Sequence, residues 1–200
     1  MTRSLLITAL LASTSLCATR RDIDNQQSII TIRVSRSGVF SAFGHDHEIT
    51  ARISRGHIDY AENPSVEFWV DARALRVVDP DASAKDRTEV QTKMQGPGVL
   101  NVNEFPEIHF HSIAVQQSGG TRWTVRGNLD LHGQSRPVVL EVTETGRWFL
   151  GTAILKIRDY GITPPVVAGG SVKVKDEIEL EFKVTTAQTS GAVTQSLATR

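Results

Sequence analysis

The sequence predicts an all-β protein: an extended, antiparallel, eight-stranded barrel with one short flanking helix. Three observations carry that expectation. Apolar residues recur mostly at every second position from Ser28 onward, turn signals rich in Gly, Pro and Asn divide these runs, and helical spacing occurs only once. Long alternating strands joined by short turns must stack as two sheets or close on themselves, because an open sheet would expose two unpaired edges. Closure is the economical solution, with about eight strands the usual size for a small barrel.

The strands follow in order. In Val66, Phe68 and Val70 one face is apolar, and Glu67 and Asp71 take the other. Trp123, Val125, Leu129 and Leu131 alternate with Thr124, Arg126, Asn128, Asp130 and His132. Val172, Val174, Ile178, Leu180, Phe182 and Val184 share one parity against Lys173, Lys175, Glu177, Glu179, Glu181 and Lys183. Such a strand covers about 40 Å, long for a globular sheet. Turns are expected at Glu62-Asn63-Pro64, Ser118-Gly119-Gly120, Gly133-Gln134, Glu144-Thr145-Gly146 and Ala168-Gly169-Gly170. The helical exception lies between Asp79 and Pro97. Asp81 or Ser83 can cap it, Val90 and Met94 stand one turn apart, Glu89 and Lys93 form an i,i+4 pair, and Gly96-Pro97 ends it. So thin an apolar stripe needs the sheet as a partner.

Composition narrows the function. Of 200 residues 40% are hydrophobic and 22% charged, enough for one buried core. The 22 basic residues cancel the 22 acidic ones without any run of like charge, which argues against a nucleic-acid partner. The N-terminus reads as an address: Arg3 precedes the apolar run Leu5–Ala12, and small residues at Ser15, Cys17 and Ala18 offer cleavage points. Residues 1–18 are therefore expected to be a secretory signal. Eight apolar residues are too few for a membrane span, which needs about twenty. Leu16 stands where a lipoprotein signal carries a small residue before its cysteine. Removing the signal removes Arg3 and Cys17, leaving one net negative charge and no thiol for catalysis, disulfides or zinc. The barrel domain is expected over residues 28–185 and a disordered tail over 186–200.

Alternation alone leaves a barrel filled by its own side chains and one holding a ligand equally open. Four stretches point further. Ser37–Asp59 (SGVFSAFGHDHEITARISRGHID), Val99–Ser112 (VLNVNEFPEIHFHS), Val125–Val142 (VRGNLDLHGQSRPVVLEV) and Ile157–Phe182, with its Asp159-Tyr160-Gly161-Ile162, resemble in order and spacing the YceI-like family of exported lipid-binding proteins. The resemblance implies a lipocalin-like barrel enclosing a tunnel for a polyisoprenoid or fatty-acyl chain, a periplasmic or secreted location and no integral membrane span. Association into a homodimer stays open. On this reading Phe40, Phe68, Val70, Phe110, Leu129, Leu131, Leu180 and Phe182 form the wall, and the alternative is that they only fill the core.

The histidines carry a second expectation. His45-Asp46-His47 and His109-Phe110-His111 each project two imidazoles from one strand face about 7 Å apart. His45 and His47 share parity with Ile49, Ala51 and Ile53, whereas His109 and His111 oppose Ile108 and Phe110, with a phase change near Ser112. Were the pairs to meet, they would suit a divalent transition metal such as zinc, copper, nickel or iron. A histidine-based metal module is thus the alternative function, against the plainer roles of polar-face or hydrogen-bonded strand-end histidines. The doubled His in GHDH departs from the single His usual in the family's first hairpin. His57 and His132 fall in expected hairpins and carry no spacing signal. An enzyme is not expected: His45-Asp46 sits in an alternating strand, and no nucleophile elbow, phosphate loop or carboxylate pair is found.

Overall fold

The computed structural model describes residues 19–37, 46–167 and 172–188. Its strands are β1 (Arg20–Asp22), β2 (Ile29–Ser37), β3 (His47–Ala51), β4 (Ile53–Asp59), β5 (Ser65–Asp71), β6 (Arg76–Val77), β7 (Glu107–Gly119), β8 (Arg122–Leu131), β9 (Gln134–Thr145), β10 (Trp148–Lys156), β11 (Val166–Val167) and β12 (Val172–Thr185); helix α1 (Ala84–Gln95) lies between β6 and β7. Hydrogen bonds connect them into one antiparallel sheet in the order β1-β4-β5-β7-β8-β9-β10-β12-β2-β3-β6, and β11 pairs with β12 off this path. The expected closed barrel is corrected: the sheet curls into a half-barrel with one helix, and its order runs from β1 to β6 with no pairing between those two strands among the described residues. The signal expected over 1–18, the turn at 168–170 and the tail from 189 lie outside the described residues.

The expected eight strands are corrected to eleven along the sheet. Two of the additions, β1 and β6, are only three and two residues long. The third arises at Arg52, where the run from His47 to Asp59 changes partners. Before Arg52 it pairs with β2 through Ile32↔Ile49, and after it with β5 through Ile58↔Val66. The chain thus carries the concave surface across this boundary by covalent continuity.

Short turns create the long hairpins for local reasons. Between β8 and β9 the turn residues His132 (φ 51°) and Gly133 (φ 71°) are both left-handed, the conformation that matches a two-residue loop to strand twist. A Cβ on Gly133 would stand 2.8 Å from the Phe105 ring as well. Gly133→Ala is therefore expected to cost about 1–2 kcal/mol, read as a lower urea midpoint at unchanged slope. At the far end of the sheet, fully buried Ser28 donates its hydroxyl to the Thr185 carbonyl (3.2 Å) and accepts the Thr185 N–H (3.1 Å), fastening β2 to β12.

Of the two caps that the sequence offers α1, the structure uses Ser83, whose Oγ accepts the Asp86 N–H at 3.1 Å. The helix docks through Met94, which is buried, and through Gln91, whose side chain accepts the Val77 N–H (2.9 Å) and donates to the Leu75 carbonyl (2.8 Å). Gln91 thereby satisfies both kinds of backbone group beside β6, and α1 covers part of the concave face.

Candidate functional site

The concave face encloses a cavity of about 440 Å³. Voids in a packed interior rarely exceed one water molecule, whereas small-molecule sites run to ~300–1,000 Å³, so this is a ligand-sized hollow and not a packing defect. Its wall is built by parity. Phe68 and Val70 of β5, Phe110 of β7, Leu129 and Leu131 of β8, and Leu180 and Phe182 of β12 all line it, from strands that alternate inward and outward. Phe40, the eighth expected wall residue, lies outside the described residues. Sequence reasoning did not single out Ile32, Leu140 and Phe149, which line the same hollow; their strand parity was the available signal.

Aromatic rings sit where the backbone makes room for them. Phe68 stacks on Phe110 with ring centroids 5.2 Å apart. The Phe110 ring lies over Gly127, where a Cβ would be 2.5 Å from Cζ, and the Phe182 ring covers Gly151 at 2.3 Å in the same sense. Each glycine removes a side chain from the inner face, and an aromatic ring from the neighbouring strand takes the space.

Polar side chains gather toward the two ends of the hollow. Near one end Asp59, Tyr60, Ser65 and Glu144 line it. Burial raises the Tyr60 hydroxyl above its ordinary pKa, while the Thr19 side chain and the Ala61 amide hold the Asp59 carboxyl below its own. Toward the other, Arg36 and His47 line it. His47 Nδ1 donates to Asp79 Oδ2 at 2.6 Å, and Asp79 Oδ1 accepts the Glu48 N–H at 2.5 Å. Asp79, only 2% exposed, fixes the orientation of the imidazole.

Of the two expected His pairs, only His47, His109 and His111 are among the described residues, and His47 lies on a different face from the other two. His45 is outside the described residues, and His47 faces the cavity. His109 and His111 stand on the convex face, because their neighbours Ile108 and Phe110 turn inward. The phase change expected near Ser112 is a register shift between Ser112 and Ala114, after which Val115 faces inward and Ile113 is 69% exposed. His57 lies in β4 of the β4–β5 hairpin, opposite Glu67, and His132 is in the β8–β9 hairpin turn, both as expected; His132 bonds the Tyr160 carbonyl at 3.1 Å. No helix among the described residues is long and apolar enough to cross a membrane.

Comparison with known proteins places this geometry. A family model described as the YceI-like domain matches residues 22–186. A UPF0312 protein of Yersinia pestis is 25% identical over 152 residues, covering 71% of this chain and 74% of its own. Another UPF0312 protein, from Pseudomonas savastanoi, is 37% identical over 76 residues, covering 33% of this chain, and the alignment spans only 40% of that relative's length. Among solved structures, Burkholderia cenocepacia BcnA superposes with a TM-score of 0.58 at 16% identity, over 82% of this chain and 99% of that one. A Campylobacter jejuni YCEI protein gives 0.52 at 12% identity, over 94% of both chains. At these identities the structural likeness speaks for the fold.

Proposed function

We propose, from the premise that this chain belongs to the YceI-like domain family, that it is an exported carrier for a polyisoprenoid or related long-chain lipid held in the hollow. The observation that carries the reading is the apolar cavity of about 440 Å³, framed by side chains of one parity from successive strands. Hydrocarbon exposed to water costs about 25 cal/mol per Å² of apolar surface, and a dry sheath removes that cost without any reacting group. Binding alone is therefore the proposed activity, and catalysis plays no part in it.

The chemistry of the ends supports an orientation for the ligand. Arg36 and His47 offer donors at one end of the hollow, where a polar or anionic headgroup would sit, and the hydrocarbon would run toward Tyr60 and Phe149. The signal-like segment expected over residues 1–18 supports delivery to the periplasm or the medium.

Organic extraction of the purified protein followed by mass spectrometry tests the proposal. A polyprenyl or acyl species recovered at close to one per chain is the expected result. Protein that yields no lipid, and takes none from mixed vesicles supplying polyprenyl and acyl chains, would overturn it.

A further inference from the structure

The convex face carries a second constellation, on the opposite side of the sheet from the hollow and independent of any lipid. Four strands, β4, β5, β7 and β8, lie side by side there, with Arg55↔Trp69↔His109↔Asp130 in one row across them and His57↔Glu67↔His111↔Asn128 in the next. His109 and His111 come from i and i+2 of β7, and Asp130 is the direct cross-strand partner of His109. One ligand atom from each of His109, His111 and Asp130 lies within 4.8 Å of the other two.

We infer that His109, His111 and Asp130 form a surface site for a divalent transition-metal ion of the zinc or copper type. The donor set selects the class: two imidazole nitrogens and one carboxylate oxygen suit borderline first-row ions, whereas calcium and magnesium prefer cages of oxygen.

Three features favour ligation over a purely structural ion pair. His109 is held from both sides, with Nδ1 at 3.2 Å from Asp130 Oδ2 and Nε2 at 3.0 Å from Glu67 Oε1. A ligating histidine commonly donates its second ring N–H to a carboxylate, so Glu67 can fix the tautomer that turns Nδ1 toward the ion. The ring plane is set by stacking on Trp69, 4.4 Å between centroids and 8° from parallel, and Trp69 in turn lies under the Arg55 guanidinium. Finally, His111 Nδ1 is shielded from solvent and has no hydrogen-bond partner among the described residues.

Donors converging on one ion stand roughly 3–3.5 Å apart when each bond is near 2.0–2.1 Å. The three groups must therefore draw together by side-chain rotation, which their partial exposure permits. The Asp130 side chain is 43% exposed, and this side leaves room for water to complete the coordination.

Calorimetric titration of the untagged full chain with zinc chloride tests the site. One zinc per chain at micromolar affinity is expected, weakened at least tenfold by His111→Ala and by Asp130→Asn. Glu67→Gln should weaken it by about 10–100-fold, as for an outer carboxylate that orients a ligand. His47→Ala, on the other face, should leave it unchanged. A second readout does not depend on those variants folding well: copper(II) chloride should quench the fluorescence of Trp69 in the wild type, and Trp69→Phe should remove that component. Zinc uptake retained in full by both His111→Ala and Asp130→Asn, or no uptake by the wild type at millimolar zinc together with no quenching, would overturn the inference.

Discussion

Phe110→Ala is expected to destabilise the protein by about 3–5 kcal/mol, the range for removing a large aromatic ring from a buried site. Phe110 is 1% exposed, stacks on Phe68 and occupies the space that Gly127 leaves on the next strand. Its ring also borders a hollow that already exists, so truncation enlarges that hollow instead of drawing neighbours into a closed gap. The strands on either side are held by ladder hydrogen bonds on both edges and cannot collapse inward. For a chain of this size the melting temperature should fall by roughly 6–20 °C. Urea unfolding of the wild type and the variant measures it, and a loss below about 1 kcal/mol would mean that the ring is not packed as described. Phe110→Leu retains part of the apolar contact and should recover more than half of the loss.

How much of this fold was legible follows from what alternation can and cannot report. Inward and outward faces are a property of each strand alone, so Phe68, Val70, Phe110, Leu129, Leu131, Leu180 and Phe182 could be assigned to one surface from sequence, and all seven line the hollow. Hairpin turns are equally local, as at Gly133 and Gly146, whose left-handed backbones mark them. Strand number was not legible. Ala51 and Ile53 are both buried and flank exposed Arg52, so the alternation runs through the residue at which the hydrogen-bond partner changes. Periodicity reports facing, and partner exchange leaves it untouched. β1, β6 and β11, at two or three residues, are too short to show any period.

The candidate site divides along the same line. The spacing of His109 and His111 put both on one face, but Asp130 and Glu67 join them through register between strands that are 21 and 42 residues away from His109. No local pattern encodes that register. His47 illustrates the converse: its parity pointed inward, yet its partner Asp79 comes from a loop 32 residues on and could not be anticipated.

Filling the hollow gives the largest expected effect on binding. Leu129→Trp combined with Leu180→Trp places two bulky rings into the space that both residues line. In a packed core each enlargement forces strain of about 1–3 kcal/mol, because no room exists for the added atoms. Beside a cavity of about 440 Å³ the rings have somewhere to go, and the extra apolar burial offsets the distortion. The double variant is therefore expected to keep its unfolding free energy within about 1 kcal/mol of the wild type while the extractable lipid falls at least tenfold. Ile154→Trp, on the outer face at 66% exposure, serves as the control and should retain the lipid. The two measurements separate the physical alternatives: a large loss of stability would show an interior already filled by side chains, and full retention of lipid in a stable double variant would place the hydrocarbon outside the barrel. Only a hollow that lipid normally occupies yields a protein that is as stable as before and empty.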